Sequence, residues 1–227
     1  MFWMNSCNAV PRTGVRCLGI RDPNISLNSI GELFSEADEL TLWSPGSLSI
    51  DNSALMHPMP VINIRRLIIH SVVPGLELLL DGTVLPRLQS IRGVIVPLFI
   101  AFACGTNPMK TLDTVDHLTI TDQVSSEERC FSFKQWHIVL DVLPRLRTLL
   151  VQFYDSKCPP MAMADLLVDY MKRIARSPLT LFSCCIDHSS DAENKERFTT
   201  YLEEKIVMIC SAVQITTIGR TRLDAWM

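Results

Sequence analysis

Histidine and cysteine have the broadest chemistry in this sequence, because they can bind metals, attack substrates or transfer protons. The chain holds five histidines and eight cysteines: His57, His70, His117, His137, His188, Cys7, Cys17, Cys104, Cys130, Cys158, Cys184, Cys185 and Cys210. Their densest grouping is the segment 184–188, Cys-Cys-Ile-Asp-His. A zinc site takes four ligands, normally from two such groups. The sequence has one group, so we expect neither a metal nor another cofactor.

A cysteine can act as a nucleophile when an imidazole lies beside its thiol in space. Cys184 and His117 both fall in strand-like segments and would meet if those strands were neighbours. The chain contains no Gly-x-Ser-x-Gly, Gly-x-Gly-x-x-Gly, Walker or His-Glu-x-x-His motif. We therefore predict a non-catalytic protein. The alternative is an α/β enzyme whose active site carries no recognised motif.

A pentapeptide, Val-Leu-Pro-Arg-Leu, occurs twice and indicates which elements position these side chains. It covers residues 84–88 and returns at 142–146, a shift of 58 residues (142 − 84) that fits two repeats of about 29. Each copy leads into a short apolar segment, at 91–96 and at 149–153. A recurrence of roughly 20–50 residues is typical of repeat proteins, so we expect similar modules stacked in sequence order.

Seven segments with alternating apolar residues predict seven strands. Their first inward-facing residues are taken as Leu18, Leu40, Leu67, Ile91, Leu118, Leu149 and Leu181, with gaps of 22, 27, 24, 27, 31 and 32 residues. Helical spacing is clearest at 161–175 and also occurs at 74–80, 98–104, 131–143 and 198–206, and further strands are expected in 207–218 and 222–226. We predict one domain over residues 1–227, with an N-terminal segment at 1–13 and a capping region at 190–227.

Composition limits the class of protein. With 227 residues, 48% hydrophobic and 20% charged, the chain is typical of a globular protein. A nucleic-acid partner would favour a basic excess, and the net charge is −3, so we expect none. The longest apolar run, 94–104, is too short to span a membrane. The start of the chain lacks a signal-peptide pattern and the cysteines follow no disulfide spacing, so we predict free thiols and a cytoplasmic or nuclear location.

Side chains alternate along a strand, so the residues between the inward ones must lie on the opposite face of the sheet. This outward face would carry apolar, aromatic, hydroxyl and charged groups, a mixture that suits a protein-binding surface. We predict that a protein partner contacts Trp43, His70, Arg92, His117, Thr119, Leu150, Gln152 and Phe182. The alternative is that loops of the same chain cover these side chains.

The strands resemble those of leucine-rich repeats. The pattern appears at 40–42, 67–69, 118–120 and 149–151, and Leu-Pro-Arg-Leu at 85–88 and 143–146 is similar to the lead-in of irregular eukaryotic repeats. The style resembles the C-terminal regions of F-box proteins, over about residues 14–190. This resemblance implies an α/β leucine-rich-repeat-like solenoid, with a parallel sheet on one face and helices on the other, that recognises substrates for a ubiquitin ligase. The alternative architecture is a doubly wound α/β domain, which has helices on both faces of its sheet.

Overall fold

The computed structural model of the chain divides into two compact units, Met1–Val115 and Asp116–Met227. The residues that it describes are 2–4, 14–21, 34–43, 63–70, 76, 80, 85–94, 112–122, 141–153, 160–175, 177–186, 192–210, 212–216 and 221–227. Each unit contains strands that pair with one another. That one repeat domain spans all 227 residues stays a prediction.

The described part of the first unit contains five parallel strands in sequence order. They are β1 (Phe2–Met4), β2 (Cys17–Ile20), β3 (Glu39–Leu42), β4 (Arg66–Ile69) and β5 (Ser90–Val94). In their registers Leu18, Leu40, Leu67 and Ile91 form one buried row across β2 to β5. The sequence predicts β2 to β5 but not β1, because three residues are too few to show an alternating pattern.

The described part of the second unit combines five strands with two helices. The strands are β6 (His117–Asp122), β7 (Thr148–Phe153), β8 (Leu181–Ile186), β9 (Ala212–Thr216) and β10 (Thr221–Trp226), and the helices are α1 (Pro160–Ile174) and α2 (Ala192–Ile206). Strands β6, β7 and β8 are parallel neighbours in sequence order. Strand β10 then pairs antiparallel with both β8 and β9. The predicted C-terminal strands therefore exist, but they leave the parallel stacked order.

The chain is thus an α/β protein whose strands are mostly parallel. A doubly wound sheet reverses the order of its parallel strands at a switch point. Neither β1 to β5 in the first unit nor β6 to β8 in the second contains such a reversal. The parallel strands β1 to β5 and β6 to β8 therefore follow the order of the sequence within each unit, whereas β10 and β9 do not.

The repeated pentapeptide forms a turn that leads the chain into its strand. Leu85 and Leu88 are buried, and the Leu88 amide donates to the Leu85 carbonyl at 3.1 Å. Leu143 and Leu146 repeat this arrangement with the same distance. The proline and arginine between each pair of leucines are exposed, and the fixed φ of proline suits such a turn. The pentapeptide recurs because two of its positions fill the core and one favours the bend.

The same turn occurs elsewhere without the pentapeptide. Equivalent amide-to-carbonyl bonds join Ala37 to Phe34 at 3.0 Å and Val115 to Leu112 at 3.2 Å. In all four turns, the residue whose amide donates this bond lies three positions before the first inward residue of the following strand, as Leu146 does before Leu149. We call this apolar spacing, at positions −6, −3, 0 and +2 relative to the first inward residue, the repeat frame.

Successive strands are also joined where they begin. The Arg65 carbonyl accepts two consecutive amides of the next strand, from Gln89 at 2.8 Å and Ser90 at 2.9 Å. The carbonyls of Arg16, Asp38, Asp116 and Arg147 each accept two consecutive amides in the same way. One carbonyl can accept both because it has two lone pairs. These bonds fix the register that brings the inward rows together.

Helix α1 follows β7 and begins at Pro160, a residue type suited to the first helical position. This confirms the helix predicted at 161–175. Its buried residues are Ala164, Leu167, Val168, Tyr170, Met171 and Ile174. The centroid of the Tyr170 ring lies 5.6 Å from that of Phe182, so α1 covers the inward face of β8. Full burial of one such aliphatic side chain contributes about 1.5–3 kcal/mol.

Helix α2 confirms the predicted helical face at 198–206, because Phe198, Leu202 and Ile206 are buried. The Tyr201 hydroxyl donates to Asp165 Oδ1 at 2.5 Å and joins α2 to α1. The predicted turn of helix at 74–80 agrees with a bond of 3.1 Å from the Leu80 amide to the Leu76 carbonyl. The predicted helix at 98–104 lies outside the described residues, as does most of that at 131–143.

Candidate functional site

The outward face of the first unit carries three neighbouring side chains directly after β2, β3 and β4. They are Arg21, Trp43 and His70. The Trp43 amide donates to the Ile20 carbonyl at 2.9 Å, and the His70 amide donates to the Leu42 carbonyl at 3.0 Å. These bonds continue the parallel pairing of the strands, so the three side chains form one row at the carboxyl end of the sheet. We call them the aromatic row.

Contacts between rings hold the aromatic row together. The ring centroids of Trp43 and His70 are 4.2 Å apart with an interplanar angle of 33°. The guanidinium carbon of Arg21 lies 6.0 Å from the centroid of the Trp43 ring, within the range of a cation–π contact. Trp43 nevertheless keeps 44% of its surface exposed. An ordered but accessible tryptophan can contact a partner with little further loss of side-chain entropy.

Charged groups of both signs lie on the same face as this row. Burial lowers the pKa of His70, and the nearby positive charge of Arg92 lowers it further. The imidazole is therefore neutral at pH 7 and stacks on Trp43 as an uncharged ring. Arg92 is exposed on β5, and Arg66 on β4 lies 3.4 Å from Glu39. The predicted surface residues Trp43, His70 and Arg92 thus lie on one face of the first unit.

Four predicted surface residues lie on the outward face of β6 and β7 in the second unit. Thr119 is opposite Leu150, and Gln152 follows two residues along the same strand. All three are half-buried, and His117 is exposed at the start of β6. His117 Nδ1 lies 2.6 Å from Asp116 Oδ1, which becomes an ion pair when the imidazole is protonated. These residues form a second, less aromatic patch.

The prediction that Phe182 lies on the outward face is wrong. Its side chain is 0% exposed, and it pairs with Leu149, an inward residue of β7. The first inward residue of β8 is therefore Phe182, and Leu181 points outward, one position from the predicted register. A one-residue shift moves every side chain of a strand to the other face. Phe182 belongs to the core against α1.

The suggested pairing of Cys184 with His117 is also wrong. Strand β7 separates β6 from β8, so the two residues are not on neighbouring strands. Cys184 is fully buried on the inward face, whereas His117 is exposed. Burial raises the pKa of the Cys184 thiol well above its usual range, with smaller effects from Cys185 and Asp224. The thiol is held protonated and cannot act as a nucleophile at this position.

Sequence reasoning misses two parts of the outward surface. Arg21 follows Ile20 as Trp43 follows Leu42, so the repeat frame identifies it once β2 and β3 are aligned. Strand β10 adds Trp226, which is 40% exposed, and Arg222, whose Nε lies 2.8 Å from Asp224 Oδ2. These residues join the sheet through antiparallel pairing with β8. No local pattern in the sequence indicates that pairing.

Among the described residues, no three histidine, cysteine, aspartate or glutamate side chains come together as metal ligands. His188, the last residue of the predicted 184–188 group, lies outside the described part. Cys17, Cys184, Cys185 and Cys210 are free thiols. None of the described helices has the length and apolar character needed to cross a membrane.

Comparison of the chain with protein-family models, curated proteins and solved structures found no match.

Proposed function

We propose that this protein is a non-catalytic module that binds another protein through the outward face of its sheet. The observation that carries the proposal is the aromatic row, in which exposed Trp43 stacks on neutral His70 beside Arg21. Tryptophan and arginine are enriched among residues that dominate protein–protein binding energy. Arg92 adds a second exposed guanidinium on the same face. The outward patch of β6 and β7 is a second candidate surface, described for the second unit by itself.

We further propose that the two units are built from irregular leucine-rich repeats. Three observations support this proposal: the repeat frame, the sequence order of the parallel strands within each unit, and the packing of α1 on the inward face of β8. Such modules cannot bury their apolar faces alone and share a core with their neighbours. Their sheet face is then available for a partner.

The resemblance to F-box proteins extends this proposal to a cellular role. The turn formed by Leu-Pro-Arg-Leu at 85–88 and 143–146 is the feature that carries the resemblance. The module would recognise a substrate for a ubiquitin ligase in the cytoplasm or nucleus. A partner captured by the sheet face should then be ubiquitinated more slowly in cells whose copy of the chain has a damaged aromatic row. An unchanged rate of ubiquitination would remove the ligase role and leave the binding role.

The binding role is tested with the double variant W43A/R92A. Both side chains are exposed, so the variant should keep the wild-type melting temperature while losing at least about tenfold in partner affinity. Immobilised wild type and variant are compared by quantitative mass spectrometry of the proteins that they retain, and affinities are then measured with the purified partner. The control is R173A, an exposed cation on α1. Equal retention by all three proteins would exclude the aromatic row as the binding surface.

A further inference from the structure

A polar cavity lies in the first unit where β2, β3, β4 and β5 begin, at the opposite end of the strands from the aromatic row. Its volume is about 330 Å³. The side chains and backbone that line it belong to Arg16, Ser35, Glu36, Asp38, Asn63, Arg65 and Arg87. We call it the amino-edge cavity. Three of its residues are arginines and two are carboxylates.

Hydrogen bonds between successive repeats fix the walls of the amino-edge cavity. Glu36 Oε2 accepts the Gly14 amide at 2.9 Å, and Gly14 has a φ of 80°, which favours glycine. Asn63 Nδ2 donates to the Ser35 carbonyl at 3.0 Å, and Arg87 Nη1 donates to Asn63 Oδ1 at 2.6 Å. Each bond joins one repeat to the one before it. Polar groups held in place in this way are preorganised to bind a ligand.

The cavity holds charges of both signs. The Gly14 amide bonds the Glu36 carboxylate without neutralising it, and Asp38 Oδ1, which is buried and accepts no hydrogen bond from the described residues, lies 3.5 Å from Arg66 Nη2. The side chains of Arg16 and Arg65 make no hydrogen bond or ion pair within the described part of the chain. Arg87 is bonded to a neutral amide, so its charge is also uncompensated. Three guanidinium groups and two carboxylates therefore line the cavity, which leaves an excess of one positive charge (3 − 2).

We propose that the amino-edge cavity binds the dianionic phosphate group of a phosphate monoester. Guanidinium groups bind phosphate oxygens through paired, charge-assisted hydrogen bonds, and two of those in the cavity have none of their own. A volume of about 330 Å³ leaves room for a phosphate group together with part of the molecule that carries it. A phosphate group offers three terminal oxygens to these guanidinium groups, whereas a carboxylate offers two. The site is separate from the protein-binding face and goes beyond its role.

The phosphate monoester can be a phosphorylated side chain of a protein or a small phosphate ester. Titration calorimetry of the full chain distinguishes these sources with four probes: inorganic phosphate, phenyl phosphate, a phosphoserine hexapeptide and its unphosphorylated form. Acetate is the monoanion control. We expect saturable binding of the phosphate compounds, weaker binding of acetate, and none of the unphosphorylated peptide. A phosphopeptide that binds tighter than phenyl phosphate indicates a protein source, and the reverse order indicates a small ester.

Three variants assign the binding to the cavity. R16A/R65A removes the two open cations and should weaken phosphate binding by about tenfold or more. E36Q removes a negative charge, while its amide oxygen can still accept the Gly14 amide, so it should tighten binding. The control is R145A, which alters the same position of the second pentapeptide and should leave binding unchanged.

The melting temperatures of these variants show whether each chain folds as the wild type does. Binding should also weaken as sodium chloride is raised, because exposed charges are screened. No saturable phosphate binding by the wild type would overturn the proposal. Equal affinity in wild type and R16A/R65A, with the fold intact, would overturn it as well.

Discussion

A shift of one residue in the register of β8 decides whether Phe182 lies in the core or on the outward face. The segment 179–186 has apolar residues in both phases of a strand, at Leu179 and Leu181 and again at Phe182 and Cys184. Alternation alone therefore cannot decide which set faces inward. The repeat frame decides it, because Leu179 lies three residues before Phe182 as Leu146 lies before Leu149.

The substitution Phe182→Ala should therefore destabilise the protein strongly. Removing a fully buried phenyl ring costs about 3–5 kcal/mol in the free energy of unfolding, because a cavity remains beside Tyr170. Urea denaturation measures this change. Leu181→Ala, at the outward position next to it, is the control and should cost less than half as much. A larger loss from Leu181→Ala would restore the register expected from the sequence.

The titration of His70 makes the stability of the protein depend on pH. Its folded-state pKa is lowered by burial and by Arg92, so between that value and the ordinary value of about 6.5 the unfolded chain binds more protons. Stability then rises with pH across this window. The contribution is present above the unfolded pKa and is lost as pH falls through the folded pKa. Free energies of unfolding measured from pH 7.5 to 5 should decrease accordingly.

The variant His70→Gln assigns this pH dependence to one group. Glutamine does not titrate in this range, so the slope of stability against pH should become shallower between pH 7 and 5. R173A is the control, because it alters an exposed residue that does not titrate in this range, and it should keep the wild-type slope. An unchanged slope in His70→Gln would show that the pH dependence does not arise at the aromatic row.

The turn with two buried leucines, which precedes both β5 and β7, should contribute strongly to the stability of the fold. Leu88→Ala and Leu146→Ala alter the same position in the two pentapeptides, where both side chains are buried. Each should cost about 2–5 kcal/mol in the free energy of unfolding. Pro86→Ala and Pro144→Ala, at exposed positions, should cost about 1 kcal/mol or less. Chemical denaturation of all four variants compares them, and a small cost at either leucine would contradict the equivalence of the two turns.

Much of the element structure is predictable because it is local. Strands β2 to β7 follow from alternating residues, and α1 and α2 follow from apolar faces with helical spacing. The position of β10 between β8 and β9 is not predictable in this way, since it depends on pairing between residues far apart in the sequence. The candidate surface divides similarly. Trp43, His70 and Arg92 follow from alternation, whereas the cavity containing Arg16, Arg65 and Arg87 requires three-dimensional packing.

At the scale of the whole molecule, the same repeat frame runs through both units. In β3 and β7 alike, an apolar residue lies at position −3 before the strand and two more lie at positions 0 and +2 within it, although the sequences of the two strands differ. The low content of charged residues and the high apolar fraction agree with modules that bury their inward residues against those of neighbouring modules. The exposed rows are then free to diverge, which is why the sequence predicts the core better than the surface chemistry.

The eight cysteines allow a prediction for the complete chain. The four in the described residues, Cys17, Cys184, Cys185 and Cys210, are free thiols, and we expect the same of the remainder in a reducing compartment. Protein purified without reductant from such a compartment should yield eight thiols when it is unfolded and titrated with a disulfide reagent. Its melting temperature should not change when dithiothreitol is added, because no disulfide constrains the unfolded chain.

The native protein should react in a definite order. Cys184 should be modified slowest, because it is fully buried and burial raises the pKa of its thiol. Cys185 is half-buried on the outward face and should react faster. Peptide mapping after timed labelling measures both rates. Fewer than eight thiols, with a linked peptide pair identified by mass spectrometry, would contradict the cytoplasmic or nuclear location, since a stable disulfide requires an oxidising compartment.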